Sequence, residues 1–528
     1  MTGEPPLPTL GAAHWPAGAY RRDVLPERVL VFGTGMLLRS LPLALLDAAN
    51  RAGRGAGRAV LVQSTAAGLA DALAAQAGLY TLVERGLEDG APVERTHLVG
   101  AVARALVAER DWPAVRALAA TPALRAIVSN VTEAGFRPHP DDGRAPADDA
   151  ADRAPAGFVG KLVALLHARF RALGDAAPVL LVIPTELVDD NGRALAALVD
   201  DAAAAWPDAA AFRAWRTERV RCCASLVDRI TTGTPPAPEH AVLEGALGYR
   251  DALATVAEPY ALWAVEGDPA ELRDALPIDD GARAVFAPSI AYYRERKLRL
   301  LNGAHSAVAP LALLAGVETV GDAAHDAAFG ALLDRLLFDE IAPGTTLDPN
   351  DAQAFARAVL DRFRNPALAH AWRVIATNET AKLRVRVAPT VRAYGERFGS
   401  PPPALALALA GALVLACHPE SAGRDPEALA VARHWTAAGA TRHGGASGDD
   451  GGDVPARVAA SALQDAALWG GALDGVPGLV PTVAGALAVI VTQGARAAVA
   501  QLAERSTSGS ATPGSATPGS ATRGRTAS

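Results

Sequence analysis

Lysine is rare in this 528-residue sequence. It stands only at Lys161, Lys297 and Lys382, while the other 47 of the 50 basic residues are arginine. Arginine replaces lysine wherever positive charge alone is needed. A step that must hand over a proton needs an amine, because guanidinium stays charged. Lys297 lies in Arg-Glu-Arg-Lys-Leu-Arg-Leu-Leu-Asn-Gly-Ala-His, residues 294–305. On an α-helix advancing about 100° per residue, His305 falls about 80° and Asn302 about 140° from Lys297. Leu298, Leu301 and Val308 share that arc, and Glu295, Arg296, Arg299 and Ser306 lie opposite. One of three lysines, one of seven asparagines and one of eleven histidines therefore sit on the apolar face. A lysine on a partly desolvated face serves as general acid or base. An asparagine amide donates to a carbonyl oxygen that becomes an alkoxide, and a neutral histidine orients a hydroxyl. The plain alternative is a buried helix whose polar groups satisfy ordinary hydrogen bonds. A buried lysine is costly without a reason, which favours chemistry.

A second group of residues suits a nucleotide. The apolar run ending Val31-Phe32 leads into Gly33-Thr34-Gly35-Met36-Leu37-Leu38-Arg39 and a helical pattern. Glycines at a strand end let the backbone approach a pyrophosphate, and the following helix N-terminus offers free N–H groups. Leu38 occupies the place of the third glycine of the G-x-G-x-x-G pattern. The acid expected near the end of the second strand is missing from Val62-Gln63-Ser64-Thr65, and no arginine replaces it. Glycines also end strands for purely structural reasons, so this turn alone is weak evidence.

The elements that would hold these residues follow from pattern. Short apolar runs at 28–33, 58–63, 125–130 and 178–184 alternate with helical stretches at 36–50, 66–77, 111–119 and 157–173, which implies an α/β fold with a parallel sheet. From 291 helical periodicity dominates. The reading is an N-terminal extension (1–27), a Rossmann-type parallel-sheet domain (28–290), a mostly α-helical C-terminal domain (291–504) and a disordered tail (505–528) carrying the repeat GSATP-GSATP-GSATR. Segments 137–156 and 441–453 read as irregular. Half the residues are apolar and the net charge is −7, which excludes a nucleic-acid-coating protein. The three cysteines, Cys222, Cys223 and Cys417, exclude a disulfide scaffold or zinc ribbon, and no cluster at ligand spacing implies a metal. The start does not read as a signal peptide, and the apolar runs at 403–417 and 474–492 read as buried helices. The expectation is a cytoplasmic protein, monomeric or weakly oligomeric, with no nucleic-acid or membrane partner.

The ordered motifs resemble the long-chain mannitol dehydrogenase family of polyol and hexonate oxidoreductases. Its K-x-x-x-x-N-x-x-H signature is met by Lys297, Asn302 and His305, and its G-x-G-x-x-x-R turn by Gly33, Gly35 and Arg39. Gly78–Leu82, Ser129–Gly135, Val227–Thr231 and Glu258-Pro259 with Trp263 are similar too. The resemblance implies metal-independent hydride transfer with NAD, a lysine acid/base, and an active site between two domains. It implies cofactor contacts from Val31 to Arg39 and at Asn130. Tyr293–Lys297, Pro184–Leu187 and Asp361–Pro366 resemble the branch that reduces keto-hexuronates, tagaturonate to altronate. Arg294 there suits a substrate carboxylate. In the family a lysine matching Lys382 reaches substrate, and Arg384 and Arg386 beside it suit a carboxylate, the alternative being a solvated basic patch. Asn191, in an Asn-Gly turn, is expected to complete an oxyanion site with Asn302, although the turn alone explains it nearly as well. Asp228 is expected to be structural, paired with an arginine or capping a turn. The rivals are fructuronate reduction or polyol oxidation within the same family, and a dinucleotide-sensing protein without catalysis.

Overall fold

The computed structural model describes residues 6–65, 67–132, 135–140, 142, 153–368, 370–419, 424–440 and 454–508. Most of 137–156, all of 441–453 and the repeat tail lie outside them. The chain divides into two compact units, Met1–Lys297 with Asn365–Leu368, and Leu298–Arg364 with Ala369–Ser528.

The first unit is built on strands β1 (Glu27–Phe32), β2 (Arg58–Gln63), β3 (Tyr80–Glu88), β4 (Ala91–Val99), β5 (Val102–Val107), β6 (Ala126–Ser129), β7 (Leu180–Pro184), β8 (Val220–Cys222), β9 (Ser225–Asp228), β10 (Thr231–Gly233), β11 (Thr255–Ala257), β12 (Leu262–Glu266) and β13 (Ala284–Ala287). The main sheet has the order β5-β2-β1-β6-β7-β8, and every neighbouring pair is parallel. Alternation explains why these strands read as continuous apolar runs. Val29, Val31, Leu61, Val128 and Leu181 enter the core on one face, while Leu30, Phe32, Val60, Ile127 and Val182 enter the core on the other. A parallel sheet covered on both faces has no polar side to show. The strand order reverses between β1 and β6, and the crevice at the carboxyl ends of such a pair is where open α/β sheets take ligands.

Two smaller sheets, β10-β11-β3-β4 and β13-β12-β9, do not show in the alternation of the sequence. The β3–β4 hairpin turns at Asp89 and Gly90, both at positive φ. Its base enters the core through Tyr80, Leu82 and Val99, and its outer part carries cross-strand pairs such as Arg85–Glu94 and Arg95–Glu88. The helix expected over 36–50 is two pieces, Met36–Ser40 and Pro42–Arg51. Pro42 has no N–H to continue the first and is preset to begin the second.

The second unit is helical. Helix Pro403–Leu415 is apolar all round and buried, as such a helix must be. Gly411 lets it close on helix Ala304–Leu314, since a Cβ there would stand 2.6 Å from Leu311 Cδ2. Residues Lys297–Gly303 form a π-helix between Ala291–Arg296 and Ala304–Leu314. This corrects the uniform α wheel drawn over the segment. Ser306, assigned there to the polar side, is wholly buried. The last helix, Ala495–Ser508, runs past the expected end at 504. Among the described residues no helix is long and apolar enough to cross a membrane.

Candidate active site

The carboxyl ends of β1 and β6 bring the glycine turn beside Asn130. Gly33 has φ +122°, and a Cβ on it would stand 2.8 Å from Leu38 Cδ1 and 3.3 Å from the Asn130 carbonyl oxygen. Glycine is thus required at 33, and Leu38, in the third-glycine place, is the residue that closes on it. Gly35 is different: nothing lies within 4 Å of a Cβ built there, so this side of the turn is open. Arg39 braces the turn from within. Its guanidinium donates to the Thr34 carbonyl at 2.6 Å and to Thr255 Oγ1 at 3.1 Å, and Tyr80 Oη donates to the Arg39 carbonyl at 2.6 Å. Val31 and Phe32 have no exposed side-chain surface, which leaves them only backbone to offer a ligand. Met36 is exposed and Leu37 packs on the core. Asn130 donates through Nδ2 to Thr185 Oγ1 at 3.0 Å, and its backbone N–H donates to the Phe32 carbonyl at 3.1 Å.

Lys297, at the end of the first unit, donates through Nζ to the Val227 carbonyl at 2.8 Å and lies 3.6 Å from Asp228 Oδ1. Its side chain is 18% exposed and that of Asp228 is 3% exposed. Asp228 is therefore a counter-charge of the rare lysine, a pairing missed because the link joins β9 to a distant helix. Arg294 stands three residues before Lys297, the spacing that puts two side chains on one face of an α-helix. It is half-buried, and its guanidinium has no partner among the described residues. Asn191 does not fit the expected oxyanion role. Its Nδ2 donates to the carbonyls of Pro184, Glu186 and Ser225 at 3.0–3.2 Å, and Oδ1 accepts from Ser225 N–H at 2.9 Å. The whole amide is spent tying β7 to β9.

In the second unit, Asn302 is half-buried, and its amide has no partner among the described residues. His305 is buried, its ring 4.3 Å from that of Phe363 and edge-on to those of His370 and Trp372. Burial first, then the charges of His370, Arg362, Arg386 and Lys382, hold its pKa well below the usual 6.5, so the imidazole is neutral. Ser306 accepts from Arg386 Nη1 at 3.1 Å. Lys382 donates to the Ile375 carbonyl at 2.6 Å, and burial, aided by Arg386, lowers its pKa. Glu379 is buried, neither carboxyl oxygen has a hydrogen-bond partner among the described residues, and burial raises its pKa far above the usual carboxylate range. Nothing in the residue pattern marks Glu379 as buried beside basic neighbours. Arg384 is committed elsewhere: it pairs with Glu427 and donates to the Leu468 carbonyl. The expected carboxylate role is thus not open to it, because the guanidinium already holds one. Among the described residues no group of three or more His, Cys, Asp or Glu could hold a metal.

Residues 27–276 match the family described as the mannitol dehydrogenase Rossmann domain, and residues 289–432 the mannitol dehydrogenase C-terminal domain. The altronate oxidoreductase of Klebsiella pneumoniae (strain 342) is 36% identical over 94% of this chain and 100% of its own. That of Cronobacter sakazakii (strain ATCC BAA-894) is 37% identical over 91% of this chain and 99% of its own. Among solved structures, a D-sorbitol dehydrogenase in substrate-free form aligns with a TM-score of 0.71 at 22% identity, covering 93% of this chain and 100% of that one. The Pseudomonas fluorescens mannitol 2-dehydrogenase in ternary complex with NAD and D-mannitol aligns with a TM-score of 0.62 at 22% identity, covering 92% and 96%. Matches to both halves of one family, together with relatives alike over their full length, mean that this chain belongs to the mannitol dehydrogenase family.

Proposed function

We propose that this chain is an NAD-dependent oxidoreductase that reduces a keto-hexuronate, tagaturonate to altronate, and reverses the reaction when the alcohol is supplied. The observation that carries the reading is the pairing of a lysine held by Val227 and Asp228 with an unpartnered arginine three residues before it. One offers a proton and the other a seat for a carboxylate. The names of the full-length relatives and the NAD bound to a solved neighbour support it.

The turn suits a dinucleotide: Gly33 admits no side chain, and Gly35 leaves its surface open to a pyrophosphate. Bound NADH supplies the hydride, which goes to the carbonyl carbon. Lys297 gives a proton to the oxygen that becomes the alcohol, and in reverse the neutral amine takes it back. Asp228 keeps the amine in place. Asn302 donates its free amide to the same oxygen as negative charge develops. Neutral His305 orients a neighbouring hydroxyl, Arg294 takes the carboxylate, and Lys382 serves as a substrate contact. Asn191 and Arg384 serve the scaffold. A panel of tagaturonate, fructuronate, fructose and ribulose with NADH tests the reading. The uronates, tagaturonate first, are expected to turn over fastest, and a strong preference for fructose would overturn it.

A further inference from the structure

In the stretch Val227-Asp228-Arg229-Ile230-Thr231, the Val227 carbonyl and the Asp228 carboxylate hold Lys297 Nζ. The three residues that follow hold something else. Arg229 lies where the chain leaves β9 for β10, and its side chain is almost wholly buried. Nε and Nη2 donate to the Glu258 carbonyl at 3.1 and 2.8 Å, Nη2 donates also to Glu84 Oε1 at 2.6 Å, and Nη1 donates to the Ser40 carbonyl. Ile230 N–H donates to Glu258 Oε1 at 2.6 Å, and the Thr231 and Ser40 hydroxyls share a hydrogen bond at 2.7 Å.

Ser40 is the last residue of the short helix Met36–Ser40 that follows the glycine turn. Carbonyls at a helix end lack partners within the helix, and Arg229 supplies one to Ser40. A single run of five residues thus grips both the Lys297 amine and the helix behind the glycine turn, all within the first unit. The turn also has bracing of its own, from Arg39 to the Thr34 carbonyl and from Tyr80 to the Arg39 carbonyl. A lysine at 229 would keep a charge beside Glu84. Its compact ammonium lacks the planar fork that spans acceptors on three separate elements.

We propose that Arg229 is a positioning residue for hydride transfer, which fixes the glycine turn that seats the dinucleotide against the mount of Lys297. This rests on the function proposed above and adds a residue to it. The test is reduction of tagaturonate by NADH with wild type, Arg229→Lys and Thr231→Val, each rate divided by the number of sites that bind ADP-ribose in calorimetric titration. Counting sites removes any loss of folded protein from the comparison. Per site, kcat should fall by about tenfold to a hundredfold in Arg229→Lys, the scale on which misplacement by an ångström costs rate. In Thr231→Val, which loses one hydrogen bond, it should fall by roughly threefold to tenfold. The Kd of ADP-ribose and the KM of tagaturonate should stay within about threefold, because the turn keeps its own bracing. With NADH deuterated at the transferred position, the isotope effect on kcat should be at least as large as in wild type, because the slowed step is hydride transfer. A merely structural role leaves turnover per site untouched, so values within about twofold of wild type in both variants overturn the proposal. If Arg229→Lys does not fold, Thr231→Val decides alone. A loss confined to ADP-ribose affinity, or a smaller isotope effect, also overturns it by placing the defect outside the transfer step. A wild type that binds ADP-ribose but reduces none of tagaturonate, fructuronate, fructose and ribulose sinks the proposed function itself, and this inference with it, before any variant is made.

Discussion

Lys297 Nζ lies 3.6 Å from Asp228 Oδ1, and the carboxylate is almost wholly buried. A charged amine so held has one spare direction of approach and a partner that resists its displacement. Lys297→Arg keeps the charge but removes the transferable proton. Turnover should fall by about two orders of magnitude or more, the usual reach of general acid–base catalysis. ADP-ribose affinity should not move, because the Gly33–Gly35 turn does not involve this side chain. Stopped-flow reduction rates decide the matter. Retention of more than roughly a tenth of wild-type turnover would exclude Lys297 as the main proton donor.

Two arginines expected to hold the substrate carboxylate differ in the structure, and that difference is measurable. Arg294 is unpartnered among the described residues, whereas Arg384 is paired with Glu427. Arg294→Gln should raise KM for a keto-uronate by about tenfold or more, the worth of a lost charge-assisted hydrogen bond. It should leave fructose nearly unaffected. Arg384→Gln should leave uronate kcat/KM within about twofold and instead lower the melting temperature slightly, as loss of a partly exposed ion pair does. Equal effects of the two variants on uronate KM would refute the assignment.

Glu84 is the hub of a buried ion cluster. It accepts from Arg229 Nη2 at 2.6 Å and lies 3.2 Å from Arg283 Nη1 and 3.3 Å from His97 Nε2. Burial alone would raise its pKa, but His97, Arg229 and Arg283 outweigh burial and hold it at about 2. A carboxylate depressed on folding adds stability above its unfolded pKa and loses it as pH falls toward the folded one. Wild type should therefore lose stability between the usual 4.5 and about 2. Glu84→Gln should be flatter there but weaker at neutral pH by about 3–5 kcal/mol, because it strands the Arg229 charge. Urea melts across pH measure both effects, and an unshifted neutral-pH midpoint would refute the cluster's role.

His305 and His370 are both held below their usual pKa, by burial first. In the unfolded chain they take up protons near 6.5, so the unfolded state binds more protons as the medium is acidified. Stability should fall as pH drops through that value, and His305→Gln should flatten the slope. Thermal melts between about pH 7.5 and 5 give the comparison. A wild-type curve level across this window would mean that His305 is charged when folded.

The parallel sheet was legible in the sequence because β1, β2, β6 and β7 are buried on both faces and stand out as apolar runs. The β3–β4 hairpin was not, because only its base, at Tyr80, Leu82 and Val99, enters the core, and charge pairs occupy the outer part. Lys297, Asn302 and His305 stood out by rarity. The wheel that grouped them assumed a uniform α pitch and so misplaced Ser306. Asn191 and Arg384 carried the right atoms for the roles expected of them, but only the folded chain reveals that those atoms are already spent. The ion pair of Asp228 with Lys297 was not legible, because that partner lies far away in sequence.

The π turns from Lys297 to Gly303 also set how this segment tolerates change. Wide turns are rare and concentrate where function demands them. Each residue of an α-helix advances the wheel by about 100°, and an i→i+5 stretch holds about one residue more than an α stretch of the same rotation, so relaxing it to α geometry at unchanged length would turn the residues after it by roughly that angle against Arg294. Segment length here works like the setting of a combination lock. A substitution alters one side chain, whereas a change of pitch at fixed length alters which side chains face together. The number of residues between Arg294 and His305 is itself a component of the site.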